Sequence, residues 1–367
     1  MKSRLQFPRF QVGAVVMLTW LFLAIGSPAS AHTAGASSST NYSSVIESVT
    51  PAVDGVVLRG IQGGDQLELQ STKVETTVFG YDGEPYLRVG PEGSYANRNS
   101  PAFYLNRSAR ANYKVPDYAN AKATPQWEKT SGDSAVLWHD HRAHWMADLD
   151  PPVVRNEPQE FHLIIPQWTV TMAAGGQTIT ATGRLEWVPG PPAWHGYVEA
   201  FAVFLVVFGL LVRRPDLQMV RRMLGALIVL DIVHNAGTLA ATSGPFLVRA
   251  TAGFESLFPA LVAWIVGVAA MSAIRQENES APWLVLFSAL VITILGGFVP
   301  LDDLGRSQVV FDWGADFARL LVVATLGLGG GLTAASLWRI YRSSRKHPMD
   351  DALVASRDSP PVPRPAE

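Results

Sequence analysis

The sequence predicts an exported, immunoglobulin-like β-sandwich followed by a bundle of about five transmembrane helices. Three observations carry that prediction: an export signal at the start, short β-rich runs over residues 45–189, and long apolar segments after residue 194. Composition agrees with it. The 367 residues are 48% hydrophobic and only 16% charged, with a mean hydropathy of +0.15. Disorder needs the opposite balance. A net charge of -2 removes the basic footprint of a nucleic-acid binder. The absence of cysteine excludes disulfides, thiolate metal sites and cysteine nucleophiles.

Residues 1–31 read as a signal peptide. Lys2, Arg4 and Arg9 precede an apolar run over 12–25, and Ala29 and Ala31 form an A-x-A cleavage site. The run is short of the ~20 residues of a spanning helix. Cleavage would make His32 the N-terminal residue. Residues 32–44 are rich in Ser, Thr, Gly and Ala without periodicity and read as a flexible tether.

Residues 45–189 are rich in Val, Ile, Thr and aromatics, punctuated by Gly, Pro and Asp-Gly. Asp82-Gly83 predicts a type I′ hairpin between runs 74–81 and 85–89, and Gly175-Gly176 a second between 161–172 and 177–187. Residues 91–127 carry few strand signals and read as a long excursion over the sheet. From 32 to 193 there are 12 basic and 17 acidic residues, a net of -5, a field that attracts cations mildly.

Residues 190–193 form a Pro-rich linker, and 194–338 the membrane domain, with spans near 194–212, 223–241, 257–274, 283–299 and 315–338. Arg213, Arg214, Arg221 and Arg222 join the first two spans. Arg275 follows the third, and Arg339, Arg342, Arg345 and Lys346 follow the fifth. The opposite loops hold only Arg249 and Arg306. The positive-inside rule therefore predicts a multi-pass cell-membrane protein with its β domain extracellular or periplasmic and its C-terminus cytoplasmic. The export signal demands the same orientation. The tail 339–367 begins basic and ends Pro-rich, and from His347 onward it reads as disordered.

Chemistry concentrates in histidines. Of eight, His32, His139, His141, His144, His162 and His195 fall outside or at the outer face in this topology. A strand over 136–141 would place His139 and His141 on one face, and a turn after Arg142 would bring back His144. Three imidazoles suit copper or zinc and leave a coordination position open. Met146, Asp148 or Asp150 could complete or orient the site. The same residues also fit a hydrogen-bonded corner in which Arg142 pairs with Asp140 and the flanking tryptophans are buried. Both readings stand at this point. An N-terminal His32 offers an amine and imidazole chelate for copper, on a tether that does not hold it in place.

In the second span, Asp231, His234, Asn235 and Thr238 share one helix face. Ionisable groups at that depth face the bundle interior, and Arg319 of the fifth span is the expected partner of Asp231. No phosphate loop, Gly-x-Ser-x-Gly elbow or His-Glu-x-x-His motif is present.

The segments 80–88 (GYDGEPYLR), Asn99-Ser100-Pro101 with Tyr104-Leu105-Asn106, and Trp138-His139-Asp140-His141-Arg142 with His144-Trp145-Met146 resemble a family of uncharacterised actinobacterial membrane proteins with an exported domain. More loosely, His32 and the architecture are similar to bacterial copper-resistance proteins, though the tether replaces the strand that follows their histidine. The expectation is a non-enzymatic, membrane-embedded protein that binds a divalent metal outside, copper before zinc, and handles or transfers it with an envelope protein or metallochaperone as partner. The rival is an envelope interaction protein whose β domain binds a protein or cell-wall polymer, drawn from Tyr95, Phe103, Tyr104, Tyr113 and Tyr118. A three-histidine site that activates water would make it an enzyme instead.

Overall fold

The computed structural model describes residues 39–357 apart from 108, 109, 111, 112, 215, 244 and 245. The export signal, the cleavage site, His32 and most of the tether lie outside the described residues, as does the tail from 358.

The β domain holds ten strands: β1 (Tyr42–Thr50), β2 (Val56–Ile61), β3 (Gln66–Ser71), β4 (Thr76–Phe79), β5 (Pro85–Gly90), β6 (Gly93–Asn97), β7 (Trp127–Ser131), β8 (Ala135–Trp138), β9 (His162–Ala174) and β10 (Gln177–Trp187). Two short helices, α1 (Pro101–Leu105) and α2 (Pro152–Asn156), interrupt them. One sheet runs β1-β10-β9-β4-β5-β6-β7 and the other β2-β3-β8. Every pairing is antiparallel. Alternation builds the core between the sheets. Leu67 and Leu69 of β3 and Val136 and Trp138 of β8 meet Val78, Leu87, Val170, Met172 and Ile179 of the larger sheet. The strands split seven and three rather than the four and three of an immunoglobulin constant domain.

Local chemistry explains where the elements match the sequence and where they do not. Gly175 and Gly176, at φ 58 and 76, close the β9–β10 hairpin as a two-residue turn. The β4–β5 hairpin forms too, but its turn covers residues 80–84 and only Gly83 takes a positive φ. Glu84 causes the difference. It folds back, accepting Ser100 Oγ at 2.6 Å and the Asp82 N–H at 3.1 Å, and a Cβ at Gly80 would lie 2.0 Å from its carboxylate. The expected excursion over 91–127 contains β6 and α1, because Tyr95 and Ala96 pair into the sheet on both sides. The tether ends early: Thr40 already pairs with Gln308, and β1 begins at Tyr42.

Five helices are long and apolar enough to cross a membrane: α3 (Trp194–Arg213), α4 (Leu217–Ala240), α5 (Phe246–Arg275), α6 (Ala281–Thr293, continued as a π-turn over Ile294–Phe298) and α7 (Ala315–Arg357). Asp216 caps α4, accepting the Gln218 N–H at 2.8 Å. Helix α7 runs past the expected end at 338 to Arg357, so residues 347–357, expected to be disordered, are helical. Val198, Phe201, Leu205 and Val206 of α3 and Ile265 and Val268 of α5 are exposed, the outward apolar belt that lipid requires. Helices α3 and α7 close on small residues. A Cβ at Gly327 would lie 2.5 Å from Val203, and one at Gly331 2.6 Å from Val207, the close approach of membrane helix pairs.

The β domain is clasped to the loop between α6 and α7. Thr40 and Gln308 exchange backbone bonds of 2.9 and 2.8 Å, the Ser307 N–H donates to Asn41 Oδ1 at 2.8 Å, and Ser39 Oγ donates to Asp303 at 2.5 Å. The α4–α5 connection adds a bond from the Phe246 N–H to Asp133 at 2.9 Å. Arg213, Arg214, Arg221, Arg222, Arg275 and Arg339 lie toward the other end of the bundle.

Gly331→Leu is expected to force α7 away from α3 and cost about 1–3 kcal/mol, the usual range for overpacking. Thermal unfolding of the full chain in detergent checks this. A control substitution at exposed Leu205 (Leu205→Ile) should leave the midpoint unchanged.

Candidate functional site

Strand β8 stops at Trp138, so His139 and His141 do not share a strand face; the expected continuation to 141 does not form. Asp140 breaks it. Its carboxylate is buried and accepts four bonds: Trp138 Nε1 at 2.9 Å, Arg142 Nε at 2.8 Å, Arg142 Nη2 at 2.7 Å and the Arg142 N–H at 3.1 Å. A turn closes over it, with the Ala143 N–H on the Asp140 carbonyl at 2.8 Å. Arg142 also donates to the Phe79 carbonyl at 3.3 Å and lies 5.1 Å from the Tyr81 ring. Tyr81 donates to Asn106 and accepts the His141 N–H at 3.1 Å. The hydrogen-bonded corner is therefore present, and it is the scaffold of the histidine loop.

Burial pushes the Asp140 carboxyl up, but the Arg142 guanidinium and the Trp138 indole N–H outweigh it and hold the group below its ordinary range. Burial pushes the Tyr81 phenol up, and the Asp140 charge adds to that.

The turn gathers the histidine rings. His141 and His144 have centroids 5.1 Å apart, and His139 and His144 5.8 Å. His139 is committed to the fold: Nδ1 meets the Asp65 carbonyl and Nε2 meets Gln66 Nε2, each at 3.1 Å, with the Asp65 carboxylate 3.5 Å away. Among the described residues no three ligand-type side chains stand ready to hold a metal ion. Asp148 pairs with Arg110 at 3.0 Å and Asp150 accepts from Tyr42 at 2.8 Å, so neither orients the cluster. Met146 is exposed. His162 lies on β9 and bonds the Glu157 carbonyl at 2.7 Å.

The aromatic residues of 95–118 are engaged by arginines. Arg88 lies 4.6 Å from the Tyr95 ring and 4.9 Å from Trp127, and Arg107 lies 4.9 Å from Tyr113. Tyr104 is buried and shares a 2.7 Å bond with Tyr118.

In the bundle, Asp231 is 1% exposed and faces the interior. Its partner is Trp264 of α5, whose Nε1 donates to Oδ2 at 2.7 Å. The expected pair with Arg319 does not form. Arg319 sits higher on α7, donating to Asp316 at 2.6 Å and to the carbonyls of Asp303 and Arg306 at 3.1 and 2.5 Å. Three nearby acceptors claim it before it can reach inward. Asn235 donates to the Asp231 carbonyl one turn back at 2.9 Å. His234 is buried beside Asp231 and bonds the backbone of Gly296. Trp264 and the π-turn were not singled out in the sequence; an indole inside an apolar span gives no local signal.

No family model matches the chain, and neither a curated protein nor a solved structure does.

Asp140→Asn is expected to destabilise the β domain by about 3–5 kcal/mol, since it strands Arg142 in a buried site. Because the folded pKa of Asp140 is depressed, its contribution is complete above the unfolded value of about 3.9 and fades as pH falls through the folded one. Denaturant melts of wild type and variant across that acid range should converge.

Proposed function

We propose that this is a non-enzymatic, multi-pass membrane protein whose β domain lies outside the cell and takes up a divalent metal ion, copper before zinc, for handling or transfer. The observation that supports it is the 5.1 Å separation of the His141 and His144 rings. Two imidazoles bound to one ion at ~2.0–2.1 Å place their ring centres roughly 5 Å apart. The pair is held by the Asp140–Arg142 turn, so little of it has to be ordered on binding. His139 becomes the third ligand by giving up Gln66. Copper is preferred because it heads the divalent order for nitrogen donors and accepts few-ligand tetragonal sites. The orientation rests on the arginines gathered at the bundle end away from the β domain. The resemblance to exported-domain actinobacterial membrane proteins, and the looser one to copper-resistance proteins, agree with this reading. An envelope protein or metallochaperone would be its partner, and His32 a further donor.

Calorimetric titration of the full chain in detergent with Cu(II) and Zn(II) is expected to give saturable binding, tighter for copper. Replacing His141 and His144 together by Ala should abolish it, whereas His139→Ala should weaken it. Affinity no better than millimolar, or binding indifferent to the double substitution, contradicts the reading.

A second reading has its own support. Arg88 stacked between Tyr95 and Trp127 is a rigid arginine–aromatic surface of the kind that dominates recognition interfaces. If the β domain binds a cell-wall polymer there, the full chain should co-sediment with purified cell wall and Arg88→Ala should release it. Equal sedimentation of both proteins speaks against this surface.

A further inference from the structure

We propose that Asp231, His234 and Thr325 form a proton-binding site within the bundle, reached from the β-domain side through a cleft that Phe311 closes. This is independent of the metal reading.

Among the described residues, three polar atoms in one region of the bundle are buried without a hydrogen-bond partner: Asp231 Oδ1, His234 Nδ1 and Thr325 Oγ1. Their residues are 1%, 8% and 0% exposed. They come from two helices, α4 and α7, and the π-turn at the end of α6 joins them. A Cβ at Gly296 of that turn would lie 2.3 Å from Asp231 Oδ1 and 3.4 Å from Thr325 Cγ2. The carboxylate and the threonine thus border the same space, which exists because position 296 has no side chain. A π-turn widens the helix locally and is frequent at functional sites.

Charge decides what the site takes. Helix α5 supplies the Trp264 N–H. The π-turn supplies glycine backbone, helix α7 supplies Thr325, and Arg319 is engaged at the loop above. His234 is the titratable neighbour, on the same helix as Asp231. An ionised carboxylate at that depth without a cationic partner is costly. A proton on Oδ1 removes the charge and turns the unpartnered acceptor into a donor toward the space over Gly296 that Thr325 also borders. His234 Nδ1 provides the next acceptor one turn along the helix.

The fold also provides access. A cleft of about 300 Å³ lies between the β domain and the bundle, bordered by Gly63, Ser243, Gln308, Phe311 and Asp312. Phe311 is its inner wall. Its ring packs against Gly237, where a Cβ would come within 2.2 Å, and lies edge-on to His234 at 6.0 Å. Asp312 is exposed beside it and places negative charge at the opening. Cleft, Phe311, His234 and Asp231 follow one another into the bundle.

Infrared difference spectroscopy of the full chain in lipid bilayers tests this. The wild type should show the carbonyl stretch of a protonated carboxylic acid, lost in alkaline buffer and absent from Asp231→Asn. Thr325→Val should shift that band, which keeps the test available if Asp231→Asn does not fold. Phe311→Ala should speed its deuterium shift on transfer to heavy water. A band that does not respond to buffer pH, a carboxylate ionised throughout, or a band that disappears on adding Na+ or K+ at constant pH overturns the proposal; the last result would make the site one for a metal cation.

Discussion

The β domain's chemistry depends on one buried ion pair. Asp140 and Arg142 are two residues apart, and joining them in the interior costs desolvation of both charges. The cost is met because the pair is saturated: two guanidinium nitrogens, a backbone N–H and the Trp138 indole all reach the carboxylate. A pair made this locally fixes a turn rather than merely bridging two elements. That turn ends β8, sends Arg142 over Tyr81, and leaves His141 and His144 beside each other at the edge of the core. The histidine arrangement is thus a consequence of the ion pair, and Glu84, Ser100 and Asn106 extend the same polar layer beneath it.

The two ends of the molecule solve opposite problems with polar groups. In the β domain a buried carboxylate is fully satisfied, so it specifies structure. In the bundle a buried carboxylate is half satisfied: Trp264 occupies one oxygen of Asp231, and the other lies over Gly296 with no bond among the described residues. Since native structures rarely leave buried polar atoms unpaired, the second arrangement is the one that asks for a ligand. The loop between α6 and α7 connects the two, clasping β1 at Gln308 and pressing Phe311 against His234.

Much of this was legible in the residues. Long apolar runs located the five helices, because a bilayer imposes a length, although three of them extend beyond the apolar run by 6 to 19 residues at one end; Gly175-Gly176 marked its hairpin because two positive φ values demand it. The Asp140–Arg142 corner could be read as one of two alternatives, since the partners are adjacent in sequence. What depended on distant neighbours could not be read. His139 is taken by Asp65 and Gln66 at the start of the neighbouring strand β3, Arg319 by the carbonyls of a loop, and Asp231 by an indole from a different helix. The strand at 93–97 was hidden because its residues are ordinary and one of its two pairing partners, β7, lies some thirty residues on. The arginine–aromatic stacks likewise need the register of three strands.

The most direct test of the account is to count the nitrogens around the metal. Electron spin-echo modulation of the full chain loaded with one equivalent of Cu(II) should show two or more coupled imidazoles, and one fewer when His144 is replaced by Ala. No imidazole modulation in the wild type, or modulation unchanged by that replacement, would contradict the claim that the Asp140–Arg142 turn assembles a metal site.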